Sequence, residues 1–359
     1  MKKMTLITIA CTFLLAGCWD ERLYKDVTIV PLIGFEGKPG ELTGYFTKLN
    51  VSNGTASYST VEGSGVSIRD TRLDANRQTG EALSDTQMQV KLFTGEIMKS
   101  DVLDLLNISF RTPNIRLSSR VAVVEGEMAQ YMEKSEKISV ELPHYYIDML
   151  EAAVSFSIIT DIDLQKIAET LNDDAIDLAL PFINMSEKNG TPEVFGIALF
   201  KDKVFTGHTL GKKQSTIVQV LRKKIGKHTM FTYPWEKDGK SSPITVQLST
   251  FKKKWDIQDS KIDATYKMKF SVEEFAHDHL DEDKTRNELE KYLSKELTKD
   301  FNGVIKKLQN AKSDVVGFGR TVRAFHPDLW DKGNWSDTFS ELDIDVKVEV
   351  EITRSGILN

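Results

Sequence analysis

The stretch ELEKYLSKELTKDFNGVIKKL, residues 288–308, decides how the C-terminal third of the chain folds. Leu289, Leu293, Leu297, Phe301, Ile305 and Leu308 recur at steps of four and three, which lines one face of a helix. A stripe of this kind needs an apolar surface to bury against, and the sequence supplies one on both sides. Residues 244–255 and 260–272 alternate like an antiparallel pair of half-buried strands. Residues 342–353 alternate strictly, with Leu342, Ile344, Val346, Val348, Val350 and Ile352 on one side. Two strands, a long helix and a closing strand predict an antiparallel sheet with the helix packed on one face. Thr285 and Glu288 have the spacing of a capping box at the helix start.

The rest of the chain reads as short strands and short helices. Residues 27–35 form a buried strand stopped by Gly34, Gly37 and Pro39. Residues 41–51 and 58–66 alternate as strands around an Asn53-Gly54 turn. Residues 71–83 are polar and helical in pattern. Residues 87–95 make a strand with Met88, Val90 and Leu92 on one face, and Ser100 precedes a helix carrying Val102, Leu103, Leu105 and Leu106. Strands over 120–124 and 177–185 bracket helices over 127–132, 144–156 and 164–171. Residues 193–205 form a hairpin across Lys201-Asp202-Lys203, and 212–225 a basic amphipathic helix with Ile217, Val220, Leu221 and Ile225 inside. Residues 229–235 read as a strand, 315–323 as a strand or turn with Gly317 and Gly319, and 327–335 as an aromatic-bearing turn or short helix. The mixture predicts the α+β class, with mixed and antiparallel sheets and packed helices, because βα units are too irregular for a doubly wound sheet. The polar run 187–192 and the charged turn 236–242 divide the chain into 18–190, a small middle unit 191–240, and 241–359. The count is three domains, or two if the middle unit belongs to a neighbour.

Composition narrows the function classes. The chain has 359 residues, 28% of them charged, and a formal charge of −6. Such a balance argues against nucleic acid, whose phosphates repel an acidic protein. Residues 1–17 have their own pattern. Met1-Lys2-Lys3 is followed by an apolar run to Ala16, too short to span a bilayer comfortably, and then by Gly17-Cys18. Leu15-Ala16-Gly17-Cys18 is similar to a bacterial lipobox, in which the cysteine takes a diacylglycerol and becomes the first residue of the mature chain. Two acyl chains hold a protein stably on a membrane face, whereas one does not. Cleavage before Cys18 leaves 45 basic against 53 acidic groups and no cysteine but the anchor, since Cys11 goes with the leader. Trp19 to Tyr24 leave little tether, so the body is expected close to the bilayer, with Trp19 at the headgroups or in the body.

Few residues suggest chemistry. His277-Asp278-His279 beside Asp281, Glu282 and Asp283 is a metal-like cluster in a polar loop, where solvation or helix-dipole compensation explains the charges as well. Gly317-Phe318-Gly319 is not a dinucleotide fingerprint, because Val322 stands where the third glycine belongs. Glu62-Gly63-Ser64-Gly65 lacks the spacing of a nucleophile elbow. The expectation is no enzyme, no cofactor and no metal. Lys212, Lys213, Arg222, Lys223, Lys224 and Lys227 form a basic cluster in an acidic chain, either a solvated helix face or a surface for acidic lipid or an acidic partner. The Leu289 to Leu308 stripe reads as core, and Trp330 and Trp335 as core or interface anchors.

Three stretches resemble the Ger(x)C spore germination lipoproteins, the C subunits of nutrient germinant receptors. They are Gly17-Cys18-Trp19-Asp20 with Leu23; Phe195-Gly196-Ile197-Ala198-Leu199-Phe200-Lys201-Asp202-Lys203 with the helix from Gly211; and Asp314-Val315-Val316-Gly317-Phe318-Gly319. The last is followed by His326-Pro327-Asp328-Leu329-Trp330, Trp335, Phe339 and a strand ending Arg354-Ser355-Gly356. Glu21-Arg22 and Gly34-Phe35-Glu36 depart from the usual pattern near the anchor. The resemblance implies a three-domain α+β body anchored through Cys18 on the outer face of the spore inner membrane. It implies membrane-embedded A-type and B-type receptor subunits as partners, and carries over no catalytic residue. A lipid-anchored solute-binding protein is the alternative, and that reading needs two α/β lobes around a cleft.

Overall fold

The computed structural model describes residues 27–354, apart from 113–114, 134, 238–239, 259, 276–279, 281 and 331–332. Cys18, Trp19, the His277-Asp278-His279 cluster, Asp281 and the Ser355-Gly356 ending lie outside the described residues. The chain opens with Val27–Ile29 (β1), Leu32–Lys38 (β2), Glu41–Ser52 (β3) and Thr55–Gly65 (β4). Helix Ile68–Asn76 (α1) and strand Ala82–Ser84 (β5) lead to Val90–Thr94 (β6) and helix Val102–Arg111 (α2). Arg120–Val124 (β7) follows, then helices Ala129–Met132 (α3), Leu142–Ser155 (α4) and Leu164–Leu171 (α5). Ala179–Met185 (β8), Pro192–Lys201 (β9) and Val204–Gly211 (β10) complete an eight-stranded sheet of order β10-β9-β8-β7-β6-β2-β3-β4.

The centre of this sheet buries both faces of the strand read over residues 87–95, where only the Met88, Val90 and Leu92 face was expected inside. β2, β6, β7 and β8 pair in parallel, and all five residues of β6 are buried. Helices cover both faces, as parallel strands require. Met128, Tyr131, Tyr146 and Leu150 of the α3–α4 side pack on one face with Val90 and Leu92, while Leu105, Leu106 and Ile167 pack on the other with Phe93 and Val121. The flanks are hairpins, as expected. Asn53 and Gly54 both take positive φ (51° and 78°), which matches the two-residue turn they form. Asp202 and Lys203 do the same between β9 and β10. Residues 187–192 make a turn between paired strands, so the sheet runs through position 190.

Helix Lys212–Arg222 (α6) lies on the sheet and leads into a four-stranded sheet of order β11-β12-β13-β14: Met230–Lys237 (β11), Lys240–Gln258 (β12), Lys261–Phe275 (β13) and, last in the chain, Asp343–Arg354 (β14). Residues 191–240 are therefore distributed over the two sheets. Helices Asp283–Asn310 (α7), Phe318–Phe325 (α8) and Trp335–Glu341 (α9) lie between β13 and β14. Leu289, Leu293, Leu297, Phe301, Ile305 and Leu308 are buried, so the stripe is core. The core on the α4 side of the larger sheet continues without a break into the smaller one.

Several local expectations are corrected. β14 pairs in parallel with β13, so the smaller sheet is mixed. The long helix carries the chain back before β14 begins, and Lys261 comes to face Asp343. α7 starts at Asp283, which places Thr285 inside its first turn, buried. The cap of α2 is Asp101, whose side chain accepts from Leu103 N at 2.7 Å. Residues 318–325 are helical, where a strand or turn was expected.

The outer edge of β14 is closed by α7 side chains. Asn302 Oδ1 accepts from Val346 N (2.9 Å) and Asn302 Nδ2 donates to Val346 O (2.7 Å). Thr298 Oγ1 accepts from Val348 N (2.9 Å), Ser294 Oγ from Val350 N (3.0 Å), and Glu290 Oε1 from Ile352 N (2.8 Å).

Candidate functional site

Asp314 sits at the joint between the two sheets, in the connection from α7 to α8. It is fully buried, and its carboxylate meets four donors. Oδ1 accepts from Gly317 N (2.8 Å) and Phe318 N (3.1 Å); Oδ2 accepts from Gly319 N (2.8 Å) and Trp335 Nε1 (3.0 Å). Burial pushes the Asp314 carboxyl above its ordinary value, and the four N–H groups work against that by favouring the ionised form. The same contacts explain the Gly-Phe-Gly run. Gly317 takes φ of +84°, and a Cβ on Gly319 would lie 2.6 Å from Trp335 Nε1. These glycines shape a helix start built around the Asp314 carboxylate.

The larger sheet meets this loop through residues just before β8. Asp177 N donates to Asp314 O (3.0 Å), and Asp177 Oδ2 accepts from Asp314 N (2.7 Å). Burial, with the neighbouring Asp314 charge second, raises the Asp177 carboxyl to about 7. Asp173 receives Arg320 (2.7 Å) and Arg323 (2.8 Å), and despite its burial these cations hold its carboxyl below the ordinary range. Trp335 is buried, and Trp330 is half-buried against it at 5.2 Å, with Arg323 over its ring. Trp335 is therefore core, and its indole N–H is what it contributes to the joint.

A cavity of about 310 Å³ opens beside the joint, with Asp173, Asp177, Lys201, Asp202, Trp335 and Asp337 among its walls. Its described lining residues include no histidine, cysteine or tyrosine. The arrangement suits polar contact, and it offers no nucleophile paired with a base. The Gly63 and Gly65 positions are packing devices too: a Cβ on Gly63 would lie 2.0 Å from Thr71 O of α1.

Of the basic cluster, Lys213 is spoken for, with Asp300 at 2.6 Å and the Tyr233 ring at 3.9 Å. Lys212, Lys223, Lys224 and Lys227 are exposed. The residues that sequence reasoning missed are Asp173, Asp177 and the buried Lys91. An aspartate immediately ahead of an apolar strand was the available signal for Asp177.

Residues 20–185 match the family described as the spore germination protein N-terminal domain, and residues 195–356 match the spore germination B3/GerAC-like C-terminal family. The chain belongs to the GerAC-like spore germination family. Asp177 falls in the N-terminal match and Asp314 and Trp335 in the C-terminal one, so the joint ties the two GerAC-like parts together. The spore germination protein GerQC of Bacillus cereus is 23% identical over 367 residues, covering 99% of both chains. The spore germination protein KC of Bacillus subtilis (strain 168) is 23% identical over 397 residues, covering 99% of this chain and 96% of that one. A solved structure of the GerBC protein matches with a TM-score of 0.53 at 19% identity, covering 88% of this chain and 94% of that one, which shows the shared fold.

Proposed function

We propose that this chain is a non-enzymatic, lipid-anchored subunit of a spore nutrient germinant receptor. In this reading diacylglyceryl Cys18 holds it on the outer face of the spore inner membrane, and it acts through contacts with membrane-embedded A-type and B-type subunits. The observation that carries the reading is the match to both GerAC-like parts, in order, from residue 20 to residue 356. The lipobox supports the anchor. No helix among the described residues is long and apolar enough to cross a membrane.

The test compares wild type with Cys18→Ala in spores, by blotting membrane fractions and scoring germination on a nutrient panel. The variant is expected to leave the inner membrane and to lose one nutrient response. Retention in the membrane fraction would overturn the anchor. Release with every response intact would overturn the receptor role.

A further inference from the structure

One end of the larger sheet gathers unpaired cations and exposed apolar side chains around the point where the chain enters the fold. β2, β6 and β7 all begin there. Pro31 O accepts from Gln89 N (2.8 Å), Gln89 O from Arg120 N (2.8 Å), and Ser119 O from Leu164 N (3.0 Å). The connection from α4 to α5 crosses beneath these strand starts and is fixed by the Arg120–Asp161 pair at 2.6 Å. α6 and the loop after it are stitched to the end of α4 and to the same connection. Gly226 N donates to Ser157 Oγ (2.7 Å), His228 N to Ser155 O (2.8 Å), and Thr160 Oγ1 to Gln219 Oε1. Val27, the first described residue, leads through β1 and Pro31 into β2 at this end.

Lys223, Lys224 and Lys227 stand exposed on that loop, and none has a carboxylate within 4 Å among the described residues. Lys253 lies beside them, over the Trp255 ring at 3.9 Å, and burial followed by the Lys223 charge lowers its amine. Arg116 is exposed on the turn before β7, with its Nε on Ser118 Oγ, and that turn meets the start of α5 where Leu117 O accepts from Gln165 N (3.3 Å). The acidic groups here are mostly spoken for: Asp161 by Arg120 and Lys166, Asp163 by Lys166, and Asp314 by its donors behind Arg222. Glu151 stands one turn back on α4. Phe156 is 49% exposed, with its ring 5.4 Å from that of His228, and Leu117 is 45% exposed. Lysines interleaved with an exposed aromatic and leucine fit the boundary of an anionic bilayer, where cations meet headgroups and apolar side chains enter the acyl edge.

We infer that this end of the molecule is a peripheral docking surface for an anionic phospholipid bilayer. The inference rests on the membrane address proposed above, and it does not need the Cys18 anchor. It orients the body with the 223–229 loop and the 155–161 connection against the membrane.

The test uses a chain beginning at residue 19, which keeps every buried core residue from Val30 to Ile352 and lacks the acylated cysteine. It is sedimented with phosphatidylcholine vesicles, with and without phosphatidylglycerol, at low and physiological salt. Binding is expected only with phosphatidylglycerol and is expected to weaken with salt. Each lysine near such a surface contributes about fivefold in partitioning, so Lys223→Gln/Lys224→Gln/Lys227→Gln should lower it about a hundredfold. Phe156→Ser should lower it several-fold, independently of salt. Equal binding to both vesicle types, no binding, or no change in the triple variant overturns the proposal. So does a chain that ignores vesicles but loses capture of the membrane-embedded subunits when the three lysines are replaced, which assigns the face to a protein. A failed Cys18→Ala experiment leaves this measurement unaffected, since the chain used here carries no anchor.

Discussion

Asp177 carries a proton into the folded state under conditions where the unfolded chain has already released it. Its carboxyl rises to about 7 in the fold, from an ordinary value of 3.8. Between those values the folded chain binds more protons, so this group makes stability fall as pH rises through the window. Asp177→Asn keeps an acceptor for Asp314 N and removes the titration. Its urea midpoint relative to wild type should therefore climb between about pH 4 and about pH 7; a difference that stays flat across that range contradicts the assignment. Lys91 poses the opposite case. It is 5% exposed, its Nζ donates to Ser109 Oγ, and burial lowers its amine to about 8. At neutral pH both states are protonated and the folded one carries the burial penalty in full. The penalty is relieved as pH rises from about 8 toward the unfolded value of about 10.4. Lys91→Met with Ser109→Ala should raise stability at neutral pH by about 1–3 kcal/mol, with the gain shrinking toward pH 10. A lower urea midpoint at neutral pH would count against it.

At the scale of elements, α7 does two jobs on adjacent rows. One row buries Leu289, Leu293, Leu297 and Phe301; the next, Glu290, Ser294, Thr298 and Asn302, seals β14. The match works because four helical residues rise about 6 Å while two strand residues span about 6.7 Å. Asn302→Ala orphans both Val346 groups and should cost about 2–3 kcal/mol; Ser294→Ala should cost about 1 kcal/mol. Replacing Ser294, Thr298 and Asn302 together by alanine opens the edge, and dimers or larger species should appear by light scattering. A strictly monomeric triple variant sinks the sealing role. The buried row was legible in the sequence, because its period is unmistakable. The polar row was not, since Glu, Ser, Thr and Asn beside an apolar stripe look the same whether they face water or a strand. The direction of β14 was equally hidden: alternation says which face is buried and nothing about which way the chain runs. β6 was misread because Lys91 looks like a solvent-facing partner in an alternating pattern, yet it is buried with the rest of the strand.

Across the whole molecule, the two sheets share one continuous core and one charged joint. The motif around Asp314 and Trp335 was visible as a resemblance, but its partner Asp177 lies 137 positions away, and only the fold brings the two together. Asp314→Ala strands four N–H donors at once and should cost about 3–5 kcal/mol. Because the damage falls between the sheets, calorimetry should show one transition for the wild type and two for the variant, with the smaller sheet melting first. One transition at an unchanged temperature would show that the joint carries little of the coupling.

The parallel pairing of β14 with β13 also sets a timetable. A chain made from its N-terminus finishes β13 at residue 275, and the partner of that strand begins only at residue 343. Until then Ile262, Ala264, Tyr266, Met268 and Phe270 wait beside an empty lane. The smaller sheet is thus a long-range assembly, slow by the rule that distant pairings fold late. A product cut short before residue 343 would keep the other strands of the smaller sheet and leave the β14-facing edge of β13 without its partner, a fifteen-residue strand open to mispairing.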